Sequence, residues 1–443
     1  MIAEYWLPVW QTIAMASLGT LVALVLGTPV AVAIAARVPG YRILATIASA
    51  VRSIPDLTLA ILAVVVVGIG PAAGALAMAI FYTVTIAKGF ALLLATTPPR
   101  AMEALRSTGA TPLRVAVAGA VPDRARDLIS FASYAFECAL RASTIVGAVG
   151  AGGIGTEIVG AINAFDWPRL AAWVGVLLLL VWAVDVCGAL VRRMPLAGLA
   201  IIPLAIAGAW SCVPAVIALG HAASVAASMW PPSLSGRELA RLPQAVLETL
   251  GMALVSTAIA ALLAFAVAPF AARRFVPPIV WWPLRRTFDV FRAMPEVMIG
   301  LIIVVWVGVG PLAGTLALML HTFGVLAKLD AEAVENLNEG PLEALRATGA
   351  APLVVAFAGA LPLAAHVAAE HAIFRIDWNV RWATVIGAIG AGGIGEALYE
   401  AQQTFHYHEM FAYVLITWLI VGAVEFASER VRLGTSANRY LEI

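Results

Sequence analysis

Polar residues in this chain form short islands between long apolar runs, many of them about twenty residues, enough to cross roughly 30 Å of hydrocarbon as helix. The runs are expected at residues 8–35, 56–69, 73–94, 128–149 and 170–190. The same five-run pattern returns at 246–269, 297–309, 312–329, 363–389 and 410–427. An additional run, 196–219, stands between the two sets and has no counterpart in the first half; a Ser- and Pro-rich polar stretch, 221–244, follows it. Strands and bare loops would leave amides unbonded in lipid. The pattern therefore predicts an all-α polytopic membrane protein of about eleven transmembrane helices.

The islands repeat as well as the runs. Residues 103–122 read EALRSTGATPLRVAVAGAVP and residues 343–362 read EALRATGAAPLVVAFAGALP, a shift of 240. The same shift carries Arg52 onto Arg292, Pro55 onto Pro295, Gly70-Pro71 onto Gly310-Pro311, Lys88 onto Lys328, and GAVGAGGIG onto GAIGAGGIG. A gapless shift over about a hundred residues marks an internal duplication. The chain then divides into a first repeat (1–192), a linking span and outer loop (193–244) and a second repeat (245–443). Five spans reverse the side on which a repeat ends, so the odd linking span restores parallel orientation. The loops with Arg37, Arg42 and Arg52, both islands, Arg192-Arg193, Arg273 to Arg286 and the C-terminus then fall on one side. By the positive-inside rule that side is cytoplasmic, which places the N-terminus outside and the C-terminus inside.

Composition sharpens this reading in one respect. Hydrophobic residues make up 62% of the chain and charged residues 12%, about half the charge of a soluble domain. The net charge of +1 decides nothing. Cys138, Cys187 and Cys212 lie in apolar segments without a pairing pattern and read as packing residues. The N-terminus lacks the basic region and cleavage site of a signal peptide, so its apolar run is expected to be a retained span.

Each island reads physically as a short helix on the membrane surface. A glutamate near its start suits the helix dipole, Ala344, Leu345 and Ala347 give a compact apolar face, Gly349 allows a sharp stop, and Pro362 opens the next span. Such a helix can plug into a groove on a cytoplasmic partner. The motif resembles the EAA loop of permease subunits of binding-protein-dependent ABC importers. The match is carried by Glu103, Ala104, Leu105 and Gly109, and again by Glu343, Ala344, Leu345 and Gly349. EALRATGA, the acid–Arg pair before Thr384 and GAIGAGGIGEALYEA are most similar to the phosphonate type. The resemblance implies two parallel MetI-like permease repeats fused in one chain. It further implies two copies of an ABC ATPase on the cytoplasmic side, an external substrate-binding protein, and a phosphonate or related oxyanion as cargo. No GxxxxGK[ST] occurs, so ATP and Mg²⁺ are expected on the partner chains and no cofactor or metal on this one. The partners include the lipid bilayer but no nucleic acid. The halves differ before the islands: Asp330, Glu332, Glu335 and Glu339 stand where the first half has Phe90, Leu92, Ala95 and Pro99.

Charges inside the spans are the candidates for the path. Glu137 and Arg141 are four apart, as are Asp377 and Arg381, so each pair can close within its own helix. Ionisable residues in a span are costly and mark a pathway or a structural pin. An arginine fork suits a tetrahedral oxyanion, and Ser143, Thr144 and Thr384 stand one turn on with hydroxyls. Gly152, Gly153 and Gly155, with Gly392, Gly393 and Gly395, follow a span rather than a strand; they read as a close helix approach or a gate, not a nucleotide fingerprint. His366 and His371 are five apart, which is not the helical zinc spacing.

Overall fold

Apolar runs bounded by Gly-Pro and Pro breaks fold as helices whose ends fall at those breaks. In a computed structural model, which describes residues 2–194, 198, 200–210 and 222–439, no strand occurs among the described residues. The chain separates into two units, Met1–Trp230 and Pro231–Ile443. Among the described residues seven helices are long and apolar enough to cross a membrane, and three further bent pairs bring the total to ten, five in each unit. The additional run expected at 196–219 lies largely outside the described residues; its described part is the ten-residue apolar helix Ile201–Trp210. Cys212 is also outside them.

In the first unit the long helix Ile2–Ala35 packs along Pro71–Ala95. Small residues set that approach: a Cβ on Gly19 would lie 2.4 Å from the Met78 Cβ, and one on Gly27 would lie 2.7 Å from the Thr83 carbonyl oxygen. Asp56–Val67 lies against Pro71–Ala95 as well, and Ala125–Val146 and Trp167–Arg193 complete the bundle. In the second unit Gly236–Ala271, Glu296–Val307, Pro311–Glu335, Leu361–Ile386 and Tyr407–Arg439 take the same roles.

One expectation needs correction. The segments before the second spans, rich in arginine, are helices rather than loops. Tyr41–Arg52 meets Asp56–Val67 at 87°, and Pro278–Ala293 meets Glu296–Val307 at 90°. Both are amphipathic, so their charges kept them out of the apolar-run pattern. Pro55 and Pro295 cap the next helices and fix the breaks.

The fourth span of each unit bends at its glycine run. In the first unit Ala125–Ala151 and Ile154–Ile162 form an angle of 60°. Gly150, Gly152 and Gly153 have φ of 109°, 84° and 79°, and Gly390, Gly392 and Gly393 have 106°, 87° and 75°. L-residues avoid that region, which explains three glycines in four positions. The freed backbone groups are bonded from elsewhere. Gly70 N–H donates to Gly150 O (3.1 Å) and Gly310 N–H to Gly390 O (2.8 Å). The first amides of the next helix donate to the first span: Gly153 N–H to Gln11 Oε1 (2.9 Å) and Ile154 N–H to Thr12 Oγ1 (3.0 Å). Their counterparts are Gly393 N–H to Glu248 Oε2 (2.9 Å) and Ile394 N–H to Thr249 Oγ1 (3.0 Å). Each bend is thus closed by three long-range hydrogen bonds.

Gly395 is the tightest point of this corner in the second unit. A Cβ there would lie 1.9 Å from the Thr384 carbonyl oxygen and 2.9 Å from the Ala388 nitrogen, both backbone atoms that cannot step aside. Gly395→Ala is expected to cost about 3 kcal/mol or more and to sharply lower the yield of monodisperse protein in detergent. Gly422→Ala, with nothing within 4 Å of the added methyl, should leave thermal stability unchanged or slightly raised.

Candidate functional site

The islands fold as short surface helices, Pro99–Arg106 and Glu339–Ala347. Each starts four residues before its glutamate. The expectation that Glu103 and Glu343 open their helices is therefore corrected: both lie in the middle, and in the second unit Glu339 occupies the first turn instead. The reason is local. Pro99 in one case and Asn338, whose side chain accepts from Gly340 N–H, in the other already start a helix. Gly109 and Gly349, at φ of 76° and 81°, follow the helices as their stops.

The exposure pattern is the same in both copies. Glu103, Ala104 and Arg106 are exposed, Leu105 is half-buried and Met102 is buried; Glu343, Ala344, Arg346, Leu345 and Leu342 repeat this. The buried side chains rest on a glycine. A Cβ on Gly119 would lie 2.7 Å from Leu105 Cδ1 and 2.9 Å from Met102 Cε, and one on Gly359 would lie 2.4 Å from Leu345 Cδ1. Both glycines sit in π-helical turns, Ala116–Ala120 and Val355–Ala360. In the second unit the seat is a cluster of Leu342, Val334, Val355, Ala356, Ala360 and Phe275. Each helix thus holds its apolar side chains, Met102 and Leu105 or Leu342 and Leu345, against its own unit and turns its Glu-Ala face to solvent. Sequence reasoning passed over Gly119 and Gly359, although each recurs sixteen residues after its glutamate.

The intramembrane arginines have partners on two helices. Arg381 Nη2 lies 3.3 Å from Asp377 Oδ2 and 3.1 Å from Glu425 Oε2. Arg141 Nη2 lies 2.8 Å from Asp185 Oδ1, and Glu137 is buried one turn away on the same helix. Asp185 and Glu425 were not anticipated. The signal was available, since each is the acid at the same repeat position in an otherwise nearly charge-free fifth span. The second-unit site is the more enclosed, with Arg381 8% exposed against 28% for Arg141. The hydroxyls expected to serve as donors are engaged by their own helix. Ser143 donates to Leu140 O (2.7 Å), Thr144 to Arg141 O (2.7 Å) and Thr384 to Arg381 O (2.6 Å). The glycines Gly152, Gly153, Gly155, Gly392, Gly393 and Gly395 make up the bolted corners described above.

The second unit also carries a buried polar network that sequence reasoning missed. His321 Nε2 lies 3.0 Å from Glu296 Oε1, and its Nδ1 lies 3.3 Å from Met294 O, across the break before Glu296–Val307. Arg375 Nη2 donates to Thr322 Oγ1 (3.2 Å), Thr322 to Asn379 Oδ1 (3.0 Å), and Asn379 Nδ2 to Thr257 Oγ1 (2.7 Å). At the matching positions the first unit has Asp56, Phe81, Ala135, Tyr82 and Ala139. His366 and His371 each face a carboxylate, Glu370 at 3.3 Å and Asp330 at 3.0 Å. Among the described residues no three His, Cys, Asp or Glu side chains converge as a metal site.

The family of binding-protein-dependent transport system inner membrane components matches residues 19–195 and again residues 256–431. The chain belongs to that family. Its two matched segments correspond to the two five-span sets. The chain is similar to the phosphate-import permease protein PhnE of Mycolicibacterium smegmatis, 32% identical over 447 residues, spanning 95% of this chain and 84% of that one. It is also similar to the phosphite transport system permease protein PtxC of Stutzerimonas stutzeri, 38% identical over 211 residues, 47% of this chain and 76% of that one. The putative cryptic phosphonate transport system permease protein PhnE2 of Escherichia coli K12 is 43% identical over 117 residues, 26% of this chain and 96% of that one.

Removing the guanidinium of Arg381 would leave Asp377 and Glu425 facing each other in a buried site, at a cost of about 3–5 kcal/mol. Arg381→Leu is expected to lose most of its folded protein by thermal unfolding in detergent. Adding Asp377→Asn and Glu425→Gln should restore much of the loss, because the stranded charges go with the arginine.

Proposed function

We propose that this chain is the membrane-spanning subunit of an ABC importer, a fused pair of permease repeats that passes a phosphonate or related phosphorus oxyanion into the cytoplasm. The observation that carries the reading is the repeated surface helix, with its apolar side chains seated on its own unit and an exposed Glu-Ala face, in a chain of this family. Glu103, Ala104, Leu105, Gly109 and Glu343, Ala344, Leu345, Gly349 form the two docking helices. Each takes one ATPase subunit, and ATP and Mg²⁺ are held there. A substrate-binding protein delivers the cargo at the outer face. The docking helices and the C-terminus lie on the cytoplasmic side of the cell membrane and the N-terminus outside, a reading supported by the positive-inside rule applied to the arginine-bearing segments. The chain itself performs no bond chemistry. The cargo class is supported by the relatives, which are permeases named for phosphate, phosphite and phosphonate transport.

Arg141 and Arg381 are the cations of the path, with Glu137, Asp377 and the neighbouring Ser143, Thr144 and Thr384. The carboxylates Asp185 and Glu425 change how they would work. An arriving dianion must compete with a carboxylate already in place, so the pairs pin the fourth span to the fifth until the bundle moves. The glycine corners Gly152–Gly155 and Gly392–Gly395 serve as the elbows around which that movement turns.

The test is reconstitution with the partner ATPase and binding protein in proteoliposomes. ATP on the cytoplasmic side should drive uptake of methylphosphonate, with phosphite and phosphate tested as competitors. Uptake that needs no ATP and collapses with a protonophore would instead make the chain an ion-coupled carrier using its intramembrane carboxylates. Glu343→Arg, which reverses the charge at the centre of the exposed face, should lower ATP-driven uptake about tenfold or more while thermal stability of the chain stays the same.

A further inference from the structure

The two docking helices rest on similar seats but are mounted differently. In the second unit the corner between helix Pro311–Glu335 and the docking helix is clamped by arginines. Arg274 donates to the carbonyl oxygens of Glu335 (3.0 Å), Leu337 (3.3 Å) and Val334 (3.4 Å), and pairs with Glu339, the first residue of the docking helix. Arg285 pairs with Glu335 (2.8 Å) and donates to Ala271 O (2.8 Å), while Glu335 also accepts Arg273 N–H (2.6 Å). Arg274 therefore covers carbonyls that a helix C-terminus leaves without partners, and its charge also suits that end of the dipole. The Arg274 and Arg285 side chains are 15% and 12% exposed and Glu335 is 21% exposed, so water screens the carbonyl bonds and the Arg285–Glu335 pair less than a surface pair, whereas Glu339, 51% exposed, adds a solvent-screened contact.

Among the described residues the first unit has no counterpart of this clamp. Ala95 and Pro99 stand where Glu335 and Glu339 stand. The equivalent loop has one arginine, Arg37, which is exposed and makes no ion pair among the described residues. Among the described residues the corner is tied by one long-range side-chain bond, from Arg124 Nη2 to Thr96 O (2.6 Å). Just behind it, the Asp330–His371 contact of the second unit (3.0 Å) is replaced at the same two positions by a ring contact, Phe90–Phe131, with centroids 5.8 Å apart. The acids Glu335 and Glu339 thus pair with arginines of their own unit.

We propose that this clamp makes the second docking helix a stiff lever and leaves the first compliant, so that the ATPase on the second repeat delivers most of the closing force. The inference rests on the reading of both helices as ATPase docks. A push on Glu343 passes into helix Pro311–Glu335 only as far as the corner refuses to bend. The corner of the second unit is bonded through three carbonyls and two carboxylates; that of the first can swing about Thr96. Arg274 is on this account a positioning residue that never touches cargo or ATPase.

Two measurements test it. Amide hydrogen exchange of the intact wild-type chain in nanodiscs should be about tenfold slower across 334–345 than across 94–105; equal exchange, or slower exchange in the first corner, overturns the clamp. In the reconstituted transporter, Arg274→Gln should lower uptake per ATP hydrolysed about fivefold with the ATPase still co-purifying, and Arg124→Gln should lower it less than about twofold. Arg274→Lys, which keeps the charge but not the fork, should fall between wild type and Arg274→Gln. Equal losses for Arg124→Gln and Arg274→Gln would contradict the proposal. Failure of the wild-type chain to retain any ATPase would remove the docking reading, whereas the exchange comparison needs no ATPase and judges the clamp alone.

Discussion

A backbone amide that leaves its helix inside lipid must find another partner, and the bends of this protein exist because it does. The fourth span of each repeat turns at glycines with positive φ; the N–H groups released by the turn donate to the first span, and a released carbonyl accepts from the Gly-Pro break between the second and third. The partners differ in chemistry between the copies, Gln11 in one and Glu248 in the other, yet the distance is 2.9 Å in both. Preservation of that bond under a change of residue type identifies the bend as the fixed feature of the fold. The fourth span then brings its arginine to the acid on the fifth.

Close backbone approach does similar service at the other functional element. A surface helix can present a polar face only if something holds its apolar face, and a short helix of eight or nine residues has too few hydrogen bonds to persist alone. The glycine of each π-helical turn removes the side chain that would otherwise occupy the pocket, and two side chains from the docking helix fill it. Held this way, the helix moves with its own bundle, as a part that receives force from outside must.

Much of this was legible in the sequence because duplication supplies its own control. A feature present at both members of a 240-residue shift stands out from one present once; the islands, the glycine runs and the intramembrane arginines were found by that comparison. Asp185 and Glu425 repeat at the same shift, but the i,i+4 spacing that pairs charges within one helix says nothing of a partner on the next helix. The partners of the glycine corner were hidden for a different reason: Thr12 and Thr249 are related by 237 residues rather than 240, so a length change before the second span takes the first span out of register. Tyr41–Arg52 and Pro278–Ala293 escaped because helices rich in arginine break an apolar-run pattern while remaining amphipathic. The Glu296–His321 contact and the Arg375 network occur in one unit alone, and repetition gives no warning of such features.

The account depends on both docking helices meeting the cytoplasm. The most direct measurement is thiol labelling with a membrane-impermeant reagent, on single cysteines placed at Ala104 and Ala344 in a chain whose native cysteines are replaced. Both positions should react in inside-out vesicles and be protected in right-side-out vesicles, and added ATPase should shield both. Labelling of the two positions from opposite sides, or of neither, would contradict the account.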